Sequence, residues 1–166
     1  QGSGNNVDRS ELIVNGSLSA VGTEEQPIEF TSSSASPVKG DWHGIRVVTT
    51  GTAQTVTMDY STVSYGAFGI DIRADGAGAT TTVSITNCTV EQTLGTGIFV
   101  GGINGGGQVS ATITDNRVLN NDSVGIYAYA HGTGSTVTGT ISGNTITNSG
   151  NDGLRIFGDT LSLIHI

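Results

Sequence analysis

Apolar and polar residues alternate with a period of two in short runs along this chain, and the runs come back at near-constant intervals. A glycine followed by an aliphatic residue stands at Gly44-Ile45, Gly69-Ile70, Gly97-Ile98, Gly125-Ile126 and Gly153-Leu154, spaced by 25, 28, 28 and 28 residues. A second signature recurs in phase with it, at Met58 to Val63, Ile85 to Val90, Ile113 to Val118 and Ile141 to Ile146, with starts 27, 28 and 28 residues apart. Period-two alternation predicts half-buried β-strands, and Gly or Asn bounding each run predicts turns.

Two or three short strands in about 28 residues are too few for a propeller blade, and no leucine-rich spacing or helical stretch points to a horseshoe. What remains is a solenoid in which each repeat makes one coil and each strand pairs in parallel with its counterpart one coil away, at about 4.8 Å. Like residues then stack on like. The predicted inward ladders are Ile45, Ile70, Ile98, Ile126 and Leu154, then Val47, Ile72, Val100, Ala128 and Ile156. Ser61, Cys88, Asn116 and Asn144 share one register, predicting a polar ladder at a coil corner whose side chains satisfy neighbouring backbone groups and whose Asn residues tolerate the left-handed conformation of a turn. Cys88 is therefore expected to be a buried, inert thiol, and Met58 core filling.

With this repeat, the chain resembles the right-handed parallel β-helix proteins, the superfamily shared by pectate lyases and many bacterial surface proteins. Residues 12–23, 26–31 and 40–45, the last carrying Trp42, Gly44 and Ile45, resemble the opening coils of such surface proteins, where a Trp-x-Gly-Ile element follows a loop of variable length. The resemblance implies an all-β, right-handed solenoid at about 28 residues per coil, extracellular or on the cell surface. It leaves function open, since this scaffold carries lyases, hydrolases, adhesins and stalks. Residues 1–160 read as one β-helix stretch, with opening coils and a variable loop over 1–44 and regular coils over 45–160. Both ends look cut. Gln1 is not an initiator, and residues 161–166 (Leu161 to Ile166) resemble the translation of a transposase mosaic-end adapter, which removes His165 from functional argument.

Composition narrows the partners. With 26 Gly and 24 Thr, and only 12% charged residues, the chain is unlike a disordered tail or a charged coiled coil. A net charge of −8 repels phosphate backbones and anionic lipid, so nucleic acid is not expected as a partner. One cysteine makes no internal disulfide, and no run reaches the roughly 18 apolar residues of a membrane span, so no membrane insertion is expected of this segment.

Candidate chemistry sits where alternation points outward. The first outward row is Arg46, Asp71, Phe99, Tyr127 and Arg155; the second is Val48, Arg73, Gly101, Tyr129 and Phe157; the third is Thr50, Asp75, Ile103, His131 and Asp159. Solvent gives no reason to place four of nine aromatic residues there. Phe99, Tyr127, Tyr129, Arg155 and Phe157 are read as a carbohydrate-binding face for a polysaccharide or cell-surface glycan, against the plainer reading of cross-strand stacking.

Catalysis finds less support. No two acids occupy equivalent positions in adjacent coils, as a paired-carboxylate hydrolase would require. The polygalacturonase motifs are not present as a set. A lyase needs a base and a cation near the substrate carboxylate, which His131, oriented by Asp159 with Tyr129 and Arg155 nearby, could supply. His43 is expected to be structural, with Trp42 over the core end and His43 facing solvent. The calcium-binding nonapeptide pattern is missing, there is no His/Cys cluster for zinc, and no cofactor is expected. The expected function is a non-catalytic extracellular or cell-surface module for structure or adhesion, with glycan contact. The alternative is a fragment of a polysaccharide lyase or glycoside hydrolase.

Overall fold

The computed structural model describes residues 9–158 and the backbone of the strand Leu161–Leu163. Every regular element described is a strand, and each of the first five coils is built from three of them. The first sheet stacks β1 (Leu12–Val14), β4 (Ile45–Thr49), β7 (Ile70–Asp75), β10 (Ile98–Ile103), β13 (Ile126–Ala130) and β16 (Leu154–Gly158). The second stacks β2 (Leu18–Val21), β5 (Gln54–Asp59), β8 (Thr80–Thr86), β11 (Gln108–Thr114), β14 (Thr136–Ser142) and β17 (Leu161–Leu163). The third stacks β3 (Ile28–Phe30), β6 (Ser61–Ser64), β9 (Thr89–Glu91), β12 (Arg117–Leu119) and β15 (Thr145–Thr147). All neighbours run parallel, so the chain is a β-solenoid.

The predicted register is the observed one. Ile45, Ile70, Ile98, Ile126 and Leu154 pair in succession, and so do Val47, Ile72, Val100, Ala128 and Ile156. Val56, Val83 and Ala111 line the second sheet's inner face beside Met58, Ile85, Ile113 and Ile141, while Val63, Val90, Val118 and Ile146 close the third side. From Ile45 to Ile126 the first ladder is fully buried, as is Met58. Each coil thus buries its apolar row against the two other sheets, and stacking continues the core along the axis.

The glycine of the Gly-aliphatic repeat has a steric cause. A Cβ on Gly69 would lie 2.3 Å from the carbonyl oxygen of Gly97, one on Gly97 2.7 Å from that of Gly125, and one on Gly125 2.6 Å from that of Gly153. Each glycine admits the backbone of the next coil's glycine, so the residue type propagates along the stack.

The corner between the second and third sheets holds the expected ladder. Asn116 Oδ1 accepts from the Cys88 backbone N–H at 2.9 Å, and Asn116 Nδ2 donates to the Ile85 carbonyl and to Asn144 Oδ1, both at 2.9 Å. Asn144 repeats the pattern one coil on, donating to the Ile113 carbonyl. One detail differs from expectation. The left-handed residues are Tyr60, Asn87, Asp115 and Gly143, each one position before the ladder, because the residue that makes the bend is distinct from the one whose side chain then turns inward.

A second corner, from the third sheet back to the first, carries a ladder the sequence reading missed. Asn121 Oδ1 accepts from both the backbone N–H and the hydroxyl of Thr93, and both residues are buried. Left-handed Tyr65, Gln92, Asn120 and Asn148 mark this corner in the second to fifth coils. Against it stands the variable loop that follows β3. Thr31 bonds Ser64, the Gly40 N–H donates to the Tyr65 carbonyl, Gly40 lies against Leu94, and Lys39 pairs with Asp122. A loop leaving the first coil therefore reaches the fourth.

Candidate functional site: the outer face of the first sheet

The first sheet presents its outward residues as continuous rows because its strands are in register. Asp71, Phe99, Tyr127 and Arg155 are successive partners, and beside them run Arg73, Gly101, Tyr129 and Phe157. Phe99 meets Tyr127 edge to face at 5.4 Å between centroids, Tyr127 and Tyr129 lie 5.6 Å apart, and Tyr129 stacks on Phe157 at 5.9 Å. His131 stacks on the same Tyr129 ring at 5.7 Å. The five predicted carbohydrate-binding residues thus form one cluster, and His131 extends it.

Part of each ring is covered by its neighbours, leaving Phe99, Tyr127 and Tyr129 half-buried, while Phe157 is 58% exposed. Gly101 seats the Phe99 ring: a Cβ there would come within 2.7 Å of it. The Arg73 guanidinium covers Phe99 at 5.1 Å from its centroid, and that of Arg155 lies 5.7 Å from the Tyr127 centroid. Two cations therefore bracket the aromatic pair.

Asp71 corrects the sequence reading. It was expected to face solvent in the first row, but it is 1% exposed. Arg73 donates Nε–H to Asp71 Oδ1 at 2.8 Å, and the Arg46 guanidinium approaches the other oxygen at 4.0 Å. The guanidiniums that cover this buried carboxylate are also its hydrogen-bond donor and its nearest cations. Arg155 is held similarly through Nε, by Asp152.

His43 is a second correction. It is buried, not solvent-facing, because its backbone N–H donates to the Ser10 carbonyl while its ring turns against Phe68, 5.7 Å between centroids. Burial lowers its pKa from the usual 6.5, more than the opposing influence of Glu11 raises it. Trp42 packs on the core as expected, and its indole N–H donates to the Ser64 carbonyl.

The catalytic candidates come together only in part. His131 is exposed on the cluster's edge, Arg155 lies on the next coil, and Asp159 falls outside the described residues, as does His165. Other acids already engage protein donors: Asp59 accepts from Thr86 and Asn87, and Asp75 from Asn104. Among the described residues no three of His, Cys, Asp and Glu converge as a metal site would need. A shallow hollow of about 280 Å³, lined by Ile13, Asn15, Arg46, Val48 and Asp75, opens on the same face two coils before the rings. Cys88 is buried with its thiol against the Thr86 carbonyl, and burial pushes its pKa up to about 11.

Residues 1–139 match the family model described as the right handed beta helix region. The chain belongs to this family. No curated protein and no solved structure matches it. As a right-handed β-helix, the chain stacks its strands in three parallel sheets and its corners in polar ladders. Family membership accounts for the scaffold and leaves the outer face to be explained by its own residues.

Proposed function

We propose that this β-helix is a non-catalytic extracellular or cell-surface module, and that the outer face of its first sheet contacts glycans. One observation carries the reading. Four aromatic rings from three successive coils are joined on a solvent-facing sheet and bracketed by two guanidiniums. Aromatic faces can cover the apolar faces of sugars, and the polar groups beside them can bond hydroxyls or acids. A flat floor without an enclosing cleft fits a chain lying across it better than a small molecule, which needs a concave pocket. Exposed contacts that displace water give weak affinity, in the high-micromolar to millimolar range.

The test is a panel of soluble glycans titrated by NMR against the wild type and Tyr127→Ala. Shifts at Phe99, Tyr129 and Phe157 that vanish in the variant support the reading. The same null result for both proteins leaves a structural stalk, with the rings serving only the sheet. Unsaturated products formed by wild type and lost in His131→Ala would replace it with a lyase.

A further inference from the structure

Sequence analysis places Arg155 on the glycan face and gives Arg73 only its place in the second outward row. The structure makes the two residues counterparts. Each guanidinium uses Nε to hold an aspartate, Asp71 for Arg73 and Asp152 for Arg155, and each lies over an aromatic ring of the neighbouring coil. Those anchors fix the plane of the fork and leave its two terminal amino groups without a protein acceptor among the described residues. A planar fork held in this way is prepared for two parallel bonds to a carboxylate or sulfate. The side chains of Arg73 and Arg155 are 31% and 46% exposed, so both are open to a ligand.

Their spacing adds a constraint. Arg73 is on β7 and Arg155 on β16, with β10 and β13 between them carrying Phe99 and Tyr127. Three strand spacings separate them by about 14 Å along the solenoid axis, or about three sugar units. We propose that Arg73 and Arg155 are a two-point reader of charge, binding two anionic groups about three units apart on one acidic glycan laid along the axis over Phe99 and Tyr127. This rests on the glycan reading of the same face, and adds ligand charge, charge spacing and direction of the bound chain. Asp71, which anchors Arg73, is buried and is also approached by Arg46.

The experiment uses uronic acid oligomers of two to six units, as free acids and as methyl esters, titrated by NMR at low salt. The free acids should gain about five-fold in affinity when the chain first spans both arginines, at about four units, and the esters should show no such step. Arg73→Gln should remove the step, and so should Arg155→Gln, each weakening the free acids more than the esters. Because Arg73→Gln strips a buried carboxylate of its donor, the paired Asp71→Asn/Arg73→Gln variant removes both charges and should give the same loss in a protein that remains folded. Salt should erase the step, since exposed charges are screened beyond about 10 Å at 0.1 M. If free acids and esters bind alike and only Tyr127→Ala weakens both, the two-point reader is overturned and the glycan site stands. If neither form binds the wild type, both readings fall.

Discussion

Replacing Asn116 by alanine tests whether the corner ladder holds the coils together. Asn116 is 1% exposed and makes three side-chain hydrogen bonds, each 2.9 Å long. The truncation does not affect their partners equally. Asn144 Oδ1 keeps a donor, because the backbone N–H of residue 116 also reaches it at 3.0 Å. The Cys88 N–H and the Ile85 carbonyl each lose this bond in a site closed to water. At roughly 1–3 kcal/mol for each buried group left unsatisfied, Asn116→Ala should cost about 3 kcal/mol. Asn116→Asp keeps the acceptor for Cys88 but turns a carboxylate oxygen toward the Ile85 carbonyl and Asn144 Oδ1. It should therefore be worse at neutral pH and recover as pH falls toward the carboxylate range, because the site raises the pKa of the new acid and favours its protonated form. Urea unfolding followed by Trp42 fluorescence and far-UV circular dichroism measures both variants, with exposed Asn151→Ala as a control expected within about 0.5 kcal/mol of wild type. A loss under about 1 kcal/mol for Asn116→Ala, on the scale of a single net hydrogen bond, would refute the reasoning.

Gly97→Ala should destabilise far more than its one methyl implies, by about 3 kcal/mol or more, because the new Cβ meets the Gly125 carbonyl, Val118 and Asn121 together; expression and thermal melting check this. Cys88 should resist an aromatic disulfide reagent at pH 8 and react promptly in urea, and rapid native labelling would sink the buried assignment. With its folded pKa raised to about 11 from 9.0, the thiol's contribution to stability is complete below pH 9 and is lost between pH 9 and 11, a loss absent from Cys88→Ala. His43 has the opposite linkage. Its folded pKa lies below 6.5, so the protein should lose stability as pH falls through 6.5, and His43→Gln should flatten that slope in urea midpoints measured from pH 8 to 5.

The ladders were legible because stacking makes one register choice repeat. Once Ile98 and Ile126 are equivalent, every residue between them has its counterpart, and Phe99, Tyr127 and Arg155 follow as neighbours. What alternation cannot report is coverage. It gives the direction in which Asp71 points but not that Arg46 and Arg73 close over it, since that depends on where two long side chains from adjacent positions come to rest. His43 failed for a related reason, lying just before β4, outside the strand over which period two applies. The Thr93 and Asn121 ladder went unseen because its members differ in type from coil to coil. Its signal was present in the left-handed Gln92, Asn120 and Asn148, whose spacing of 28 residues matches the repeat.

A solenoid ordinarily passes load from each coil to the next, so the terminal coil peels first when pulled. The loop carrying Lys39 changes that sequence of events. By tying the end of the first coil to Asp122, three coils further on, it places a brace in parallel with the sheet ladders rather than in series with them. Traction entering at the first coil peels β1 to β3 and then meets this tether to the fourth coil before it reaches β4. The exposed ion pair contributes little to equilibrium stability. Its effect is on the order of rupture, which it divides between the first coil and the second.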